Sequence, residues 1–376
     1  MNSVDVRPLS NAKTKHWLQA KHAAHLGDPA FIAPLNLFEA RRISKKHSPF
    51  FDHGSAEFFI AFIDGRAVGR ISAQINERDP GFLNEKIGHF GFFDVIDDEK
   101  IARALIETAC KWLAERGCVT IRGPFNLSIN EECGCQISGF ETAPSYLMAQ
   151  SRPWTGRYLE TLGFVKAVDM LAYRSTTTAI QKGAEKIAHL AAGFKDISVR
   201  AVRREDFNND VKLLAEIFND SWSANWGFIP FSPREIDLLA AELKLIYRPT
   251  YGFFAEVNGK PVGVFAGVPN INEAIAPFNG RLTPVNLIKL GWTLYKEGIR
   301  TSRIPFAGLR REWQSGIKGA ALMAALANAT LVETRRRKVD WFEFSWILEH
   351  NKPAIKFVEQ LGGVAVSRYR IYDRTI

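Results

Sequence analysis

The sequence predicts an α/β protein made of two copies of one domain, each a twisted mixed sheet flanked by helices. Three recurrences carry that prediction. VDVRPL, with Arg7, returns as ISVRAV, with Arg200, 193 positions later. FFIAFIDGRAVGRI returns as FFAEVNGKPVGVF, with Gly65 and Gly259 separated by 194 positions. YLETLGF returns as FVEQLGG, with Leu162 and Leu361 separated by 199, and Tyr173 and Tyr372 each lie eleven positions beyond those leucines. Landmarks that keep one order and nearly one spacing mark an internal duplication.

Each copy opens on a strand, VDVRPL or ISVRAV, followed by helices. Asp64-Gly65 and Asn258-Gly259, set between alternating apolar runs, predict tight hairpins, because both turn residues must tolerate positive φ. The hairpin is followed by strand, helix, strand, helix and strand. The last pieces of the second copy are the apolar strand in DWFEFSWIL, which runs into Asn351, and a short helix starting near Pro353 and stopping at Gly362-Gly363. Between the copies, STTTAIQKGAEKIAHLAAGFK reads as a polar turn and a short helix. The expected domains are therefore 1–176 and 196–376, with a linker helix over 177–195. A long insertion, VPNINEAIAPFNGRLTPVNLIKLGWTLYKEGIRTSR, follows the second hairpin, and its apolar pattern predicts a helix from Val285 to Ile299. That helix reads as an ordinary buried helix with a solvated basic end, as a cover for a long acyl chain, or as a contact with a membrane surface.

A chain of 376 residues, 46% hydrophobic and 24% charged, is long enough for two cores and lies outside the disordered range. The amino terminus carries no apolar signal core, and no run of about 18 uncharged apolar residues occurs. The expectation is a cytoplasmic protein, with peripheral contact at the inner face of the membrane compatible with its charge. Cys110, Cys118, Cys133 and Cys135 lack the spacing of a zinc site or a disulfide framework and read as thiols in a reducing compartment, so no metal is expected. The net charge of +9 attracts phosphorylated cofactors, anionic headgroups or nucleic acid. No nucleic-acid motif accompanies it, and the basic runs RRISKK and ETRRRK read as solvated faces.

The phosphate-binding candidate is RIPFAGLRREWQSGIKGAAL. A pyrophosphate needs converging N–H donors, and the first turn of a helix supplies them with a favourable dipole where small residues let the phosphates approach. Leu309, Arg310, Arg311, Gly316, Ile317, Lys318 and Gly319 fall at such a strand-to-helix turn. The bland alternative is a helix start packed tightly on a sheet. The corresponding stretch of the first copy, GFFDVIDDEKIARAL, has no glycine after the strand. Its Asp94, Asp97 and Asp98 repel a pyrophosphate and suit a helix N-cap. Only the second copy is expected to bind such a ligand; the first is expected to shape an acceptor cleft or stabilise the pair.

The Asp340 to Gly363 segment resembles the end of a GNAT acyltransferase domain, and the whole chain resembles the bacterial tandem GNAT-like proteins. AVGRISA, FNLSINEECGCQISGF, WSANWGFIPF, PNINEA, NGRL, FSWILEHNKPAIKFVEQLGG and RYRIYD carry that resemblance across both halves. It implies two tandem GNAT-like domains, the first degenerate for CoA. It also implies acyl-CoA as co-substrate, held by the turn above with Asn351, and transfer of the acyl group to an amine. The family includes ceramide synthases, so a fatty acyl group and a sphingoid base are the finer expectation. A catalytically inert tandem GNAT serving as a CoA- or partner-binding module is the rival. In the family's phosphate turn the second glycine falls where Lys318 stands, with Gly319 one place late, and Trp313 replaces the opening Gln or Arg. Lys318, with Arg310 and Arg311, is a candidate for pairing with a phosphate.

Amide formation needs a donor polarising the thioester carbonyl, a base for the ammonium proton and an acid for the departing thiolate. The resemblance gives the first role to backbone N–H groups of Phe306 to Leu309. The tyrosine that often serves as acid is replaced by Val358, which leaves Tyr369, Tyr372 or water. Glu343, Glu349 and Glu312 are the base candidates. Strand alternation puts Glu343 and Ser345 on one face between aromatic residues, where the carboxylate is either a base or an ion-pair partner. The segment FNDSWSANWGFIPF, ending at Phe231, is read as the acceptor side of the cleft, with Asn219, Trp222, Asn225 and Trp226 as candidate substrate contacts. Asn126 and Asn130, near Glu132, are the first-half candidates. Core packing of the tryptophans and turn formation by the asparagines are the competing readings.

Overall fold

Both predicted hairpin dipeptides adopt left-handed backbone: Asp64 and Gly65 at φ 48° and 75°, Asn258 and Gly259 at 51° and 76°. Positive φ at both positions is the requirement of the type I′ turn, whose twist matches that of the strands it joins. The computed structural model describes residues 3–246 and 252–376. They fall into two units: Met1–Met170 with Ile275–Leu290 and Ser367–Ile376, and Leu171–Ala274 with Gly291–Val366.

In chain order the elements are β1 (Asp5–Pro8), α1 (Thr14–Ala24), α2 (Asn36–Arg42), β2 (Gly54–Ile63), β3 (Arg66–Asn76), α3 (Pro80–Glu85), β4 (Ile87–Val95), α4 (Glu99–Ala114), β5 (Thr120–Gly123), β6 (Cys135–Ser138), α5 (Pro153–Thr161) and β7 (Val165–Thr176). They continue as α6 (Thr177–Ala192), β8 (Ile197–Ala201), α7 (Phe207–Trp222), α8 (Pro233–Ile246), β9 (Gly252–Val257), β10 (Lys260–Pro269), α9 (Asn272–Ile275), α10 (Pro284–Trp292), β11 (Thr301–Leu309), α11 (Gly316–Arg337), β12 (Trp341–Leu348), α12 (Lys352–Gln360) and β13 (Val364–Thr375).

In the first unit the strands lie in the order β1-β2-β3-β4-β5-β13, with β6 on β13. Of the neighbouring pairs in that order, β4 and β5 run parallel, over Ile87–His89 against Thr120–Arg122, and the others antiparallel. The alternation of β2 is used on both faces. Phe59 and Ala61 join the core under α4, with Ile101, Leu105 and Ile106, while Phe58, Ile60 and Phe62 join Trp17 and Ala20 of α1. Asp98 caps α4 by accepting from the Lys100 N–H at 2.8 Å, as its position before the helix predicts.

The second unit repeats this plan with strand order β8-β9-β10-β11-β12. Again a single neighbouring pair of that set is parallel, β11 with β12, from Thr301↔Trp341 to Ile304↔Phe344. Phe253, Ala255 and Val257 of β9 meet Leu322, Leu326 and Leu331 of α11, and Ile180 and Ala184 of α6 close the same core.

The units differ from the linear halves in three places, each with a local cause. Helix α6, expected as a linker, is part of the second core: a Cβ on Gly183 would stand 2.2 Å from the Gln360 carbonyl oxygen, so the helix lies directly on the end of α12. Residues 275–290 of the insertion belong to the first unit, where Ile275 and Phe278 bury with Leu35 and the Asn36 N–H donates to the Gly280 carbonyl at 2.8 Å. The last ten residues complete the first sheet, Tyr372 opposite Gly123 and Arg122 paired in bidentate fashion with Asp373 at 2.7 Å. The helix predicted over Val285–Ile299 is α10 followed by a π-helical turn at Thr293–Glu297. Of the basic runs, RRISKK is solvated at Arg41, Lys45 and Lys46. Arg42, by contrast, is drawn in to Glu131 and Glu132. The side chains at 334–337, in ETRRRK, lie outside the described residues.

Candidate active site

Strand β11 is held along one edge by β10 up to Leu309, opposite Gly263, but its parallel ladder with β12 stops at Ile304. Phe306 to Leu309 therefore diverge from Ile347 and Leu348, and the backbone groups on that edge face a gap. The end of α7 closes one side of it. An ideal Cβ on Gly308 would lie 2.3 Å from Ser221 Oγ and 3.7 Å from Trp222 Nε1, so glycine is needed for this approach. Trp222 stacks on Phe218 at 5.0 Å and meets the edge of Trp346, the residue after Ser345 on β12, at 5.8 Å. Phe306 and Phe231 complete an aromatic wall around Phe218 at 5.4 and 5.6 Å. Of this wall only Trp222 was singled out from the sequence as a substrate contact; Phe218 shares its helix, and Phe231, Phe306 and Trp346 come from the loop after α7, β11 and β12.

The asparagines and Trp226 of the predicted acceptor segment shape the loop. Asn219 Oδ1 accepts from the Phe231 N–H at 3.1 Å, and the Asn225 N–H donates to the Trp222 carbonyl at 2.8 Å. Trp226 is half-buried in the same loop.

Beyond Leu309 the chain makes one 3-10 turn, Arg311–Trp313, and enters α11 at Gly316. This turn is fastened to α7: the Arg311 N–H donates to Asp220 at 2.8 Å, and Gln314 Nε2 donates to the carbonyls of Ser221 and Leu309, each at 3.0 Å. Gly316 has φ 78° and open space where a Cβ would be, and Ile317 is 71% exposed. A Cβ on Gly319 would lie 2.4 Å from the Trp313 carbonyl oxygen. The first-turn N–H groups of a helix have no intrahelical carbonyl to bind, and here Gly316 and Ile317 at that turn are exposed. Lys318 departs from the expected phosphate contact. Its ammonium pairs with Asp196 at 2.5 Å and lies over the Trp313 ring at 5.0 Å, and that hydrogen bond lowers the Asp196 pKa. Arg310 donates to the Pro261 carbonyl at 3.3 Å, and Arg311 is exposed beside Asp220.

At the foot of the gap a buried polar chain crosses β12. Ser345 Oγ donates to Glu343 at 2.8 Å, Arg174 Nε donates to the other Glu343 oxygen at 2.9 Å, and Arg303 Nε donates to Ser345 Oγ at 2.9 Å. The predicted shared face of Glu343 and Ser345 is present. Sequence reasoning missed both arginines, because Arg174 lies 169 positions from Glu343 and nothing local to either announces the pair. Glu349 is half-buried at the end of β12, and exposed Glu312 accepts from Trp313 Nε1 at 3.0 Å. Asn351 caps α12, its Oδ1 accepting from the Ala354 N–H at 3.2 Å.

Tyr369 and Tyr372, the predicted acid candidates, are both buried. Both belong to the first unit. Tyr372 is packed in that unit's core and donates to Glu160 at 2.9 Å, with burial chiefly raising its pKa. Tyr369, nearly as buried, is a core residue as well. Val358 is buried in the second core.

At the equivalent gap of the first unit, beyond His89 on β4, the chain fills the space itself. The Phe125 N–H donates to the Phe90 carbonyl at 2.7 Å, the Phe92 N–H donates to Asn126 Oδ1 at 2.6 Å, and Gln74 Nε2 donates to the Phe125 carbonyl at 2.6 Å. A Cβ on Gly91 would lie only 1.7 Å from the Phe125 oxygen. Asn126 thus spends its side chain inside the fold, donating also to Glu132 at 3.0 Å, and the Asn130 N–H turns back to Ser128 Oγ. Asp94 does not face a phosphate. Burial would raise its pKa, but Arg70 at 2.7 Å and His25 at 3.2 Å hold it well below the usual range. Burial pushes the Cys135 thiol up to about 12. Among the described residues no group of three or more His, Cys, Asp or Glu is arranged to hold a metal ion.

A mixed sheet with a parallel strand pair followed by a helix, present twice in one chain and bearing glycines at the helix start of the second copy, is the architecture of a tandem GNAT fold. The tandem GNAT protein from the clavulanic acid biosynthesis pathway has this fold at a TM-score of 0.56 and 12% identity, covering 99% of this chain and 98% of that one. Protein YghO of Escherichia coli (strain K12) is 36% identical over 370 residues, 98% of this chain and 94% of the relative. The bacterial ceramide synthase of Caulobacter vibrioides is 35% identical over 369 residues, 97% of this chain and 95% of the relative. No protein-family model matches the chain. The chain belongs to the bacterial tandem GNAT-like acyl-CoA N-acyltransferase family.

Proposed function

We propose that the second unit takes acyl-CoA at the β11–β12 gap and passes the acyl group to the amine of a long-chain lipid, a sphingoid base being the acceptor class. The observation that carries this reading is the contrast between the copies. The second keeps an open gap and a helix start with room for an anion, whereas Phe125 and Asn126 fill the gap in the first and Asp98 caps its helix. In this reading the pyrophosphate lies on the N–H groups of Gly316, Ile317, Lys318 and Gly319, with Arg310 and Arg311 at its edge and Asn351 fixing the neighbouring helix start. The edge of Phe306 to Leu309 polarises the thioester carbonyl. The amine nitrogen forms the new C–N bond, the C–S bond breaks, and the ammonium proton leaves toward Glu343, whose orientation Ser345, Arg303 and Arg174 fix. Water protonates the thiolate. The aromatic wall of Phe218, Trp222, Phe306 and Trp346 suits an apolar acceptor, and the lipid class comes from the name of the Caulobacter relative.

The rival is an inert module that binds CoA without turning it over, favoured by Val358 and by the placement of Tyr372 in another core. One experiment separates the two. Purified protein is incubated with acyl-CoAs of graded chain length and a mixed pool of amines, sphingoid bases among them; CoA release is followed and products are identified by mass spectrometry. Amide formation with long-chain bases is expected. CoA binding without release at any chain length assigns the inert role, and turnover restricted to small water-soluble amines removes the lipid acceptor.

A further inference from the structure

Helix α10 has no fully buried residue and leaves most of its apolar side chains uncovered, Leu287 among them at 56%. Val285, Ile288 and Trp292, at i, i+3 and i+7, form a stripe and are 60%, 73% and 57% exposed. The opposite side is anchored, since Leu282 and Leu290 pack on the buried group of Leu35, Ile275 and Phe278. The stripe is therefore a presented surface on a fixed helix. Exposed Lys289 borders it, and between Glu273 and Glu297 the chain carries no acidic residue but three basic ones, Arg281, Lys289 and Lys296.

A second element of the unit that holds Val285 and Ile288 repeats the combination. Helix α2 starts at Asn36, whose N–H binds Gly280 just before α10, and it exposes Leu37 and Phe38. Arg41, one turn beyond Leu37, is exposed, as are Lys45 and Lys46. The acid of that stretch, Glu39, is buried against Arg70 at 2.8 Å and contributes no surface charge. Two neighbouring helices thus pair solvent-exposed Leu, Phe, Val, Ile and Trp with lysine and arginine and with no exposed carboxylate of their own.

We propose that α10, supported by α2, docks the protein onto an anionic lipid bilayer surface, with Val285, Ile288 and Trp292 entering the headgroup boundary and Arg41, Lys45 and Lys289 meeting lipid phosphates. Charge complementarity selects this occupant: exposed apolar side chains on helices whose own exposed charges are cationic fit a surface that is apolar within and negative at its boundary. No helix among the described residues is long and apolar enough to cross a membrane, so the contact is interfacial. This inference deepens the lipid-acceptor reading, because a bilayer is where a long-chain amine resides.

Flotation with vesicles of phosphatidylcholine, alone or mixed with phosphatidylglycerol, at low and high salt, tests it. The protein is expected to float with the anionic vesicles and to release as salt rises. Ile288→Ser combined with Trp292→Ser should weaken binding at least about tenfold; Lys45→Glu combined with Lys289→Glu should abolish the preference for anionic vesicles. All four sites are exposed, and an unchanged melting curve and CoA affinity verify that the variants fold. Absence of flotation with anionic vesicles, or flotation indifferent to both pairs, overturns the proposal. So does a dimer in sedimentation velocity that Ile288→Ser with Trp292→Ser dissociates, without vesicle binding, which would give the face to a second copy. Turnover measured in parallel on a dispersed amine keeps failure of docking distinct from failure of the acyltransferase reading.

Discussion

Substituting Gly319 by alanine separates a phosphate site from a merely tight helix start. The new Cβ would stand 2.4 Å from the Trp313 carbonyl oxygen, whereas an ordinary carbon–oxygen contact is about 3.3 Å, so that carbonyl must retreat by roughly 1 Å. It belongs to the turn that Asp220 and Ser221 hold against α7, and moving it reorients the first N–H groups of α11. Overpacking of this kind costs about 1–3 kcal/mol, and the gain of alanine over glycine in a helix returns up to about 1 kcal/mol. The net loss, up to about 2 kcal/mol, lowers the melting temperature by a few degrees. The effect on ligand should be larger than on stability. Losing one charge-assisted hydrogen bond to a phosphate is worth about 1.5–3 kcal/mol, or roughly 10- to 100-fold in affinity. Titration calorimetry with CoA and a thermal melt of Gly319→Ala supply both numbers, with Gly316→Ala as control: it meets no atom within 4 Å but must hold φ 78°, a cost of about 1–2 kcal/mol to stability. CoA affinity within about threefold of wild type in Gly319→Ala, alongside the expected drop in melting temperature, would refute the assignment of the phosphates to this helix.

Three further outcomes follow from the buried charges. Glu343→Gln keeps one acceptor oxygen, for Arg174, while its amide can donate to Ser345 Oγ, and it should leave CoA affinity intact while lowering kcat on the order of a hundredfold or more; steady-state turnover at saturating acyl-CoA reads this, and a loss of only a few-fold moves the base elsewhere. Arg70→Met strands the Asp94 and Glu39 carboxylates, both nearly fully buried, and should cost about 3–5 kcal/mol in urea unfolding. Adding Asp94→Asn and Glu39→Gln should return much of that; a loss under about 1 kcal/mol in Arg70→Met alone would show that the pairs do not hold this region. Asp28 is lowered from 3.8 to about 2, chiefly by its hydrogen bond with His25 and, against the raising effect of burial, by Arg152. A depressed carboxyl stabilises the fold above its unfolded pKa and ceases to do so as pH falls through its folded one. About 2 kcal/mol should therefore disappear between about pH 4 and pH 2, and Asp28→Asn should flatten that part of the stability profile.

What the sequence made legible was local. Asp64-Gly65 and Asn258-Gly259 announce their hairpins because the turn chemistry resides in two adjacent residues, and Glu343 and Ser345 announce a shared face because a strand alternates every two. The Gly316-to-Gly319 helix start was readable for the same reason. What stayed hidden was settled by partners distant in sequence. Lys318 looks like a phosphate ligand until Asp196, 122 positions earlier, is seen beside it. Tyr372 looks like a donor at the end of the second copy until its strand is found opposite Gly123. Arg303, Arg174 and Trp346 carry no motif, since an arginine or tryptophan on a strand is unremarkable until its neighbour is known.

The divergence of the two copies has a physical form that neither a lost glycine nor an added aspartate conveys alone. A GNAT-like domain needs two separate devices for its ligand, a gap between parallel strands and a helix start left uncapped. In the first copy Asn126 and Phe125 occupy the backbone groups of the gap while Asp98, on another element, takes the helix N–H. Each change adds hydrogen bonds that a domain serving as scaffold would gain and that a domain holding acyl-CoA could not keep. Drift at one device would leave the other open. Both devices are closed in the first copy, which is why the proposed acyl-CoA site is assigned to the second.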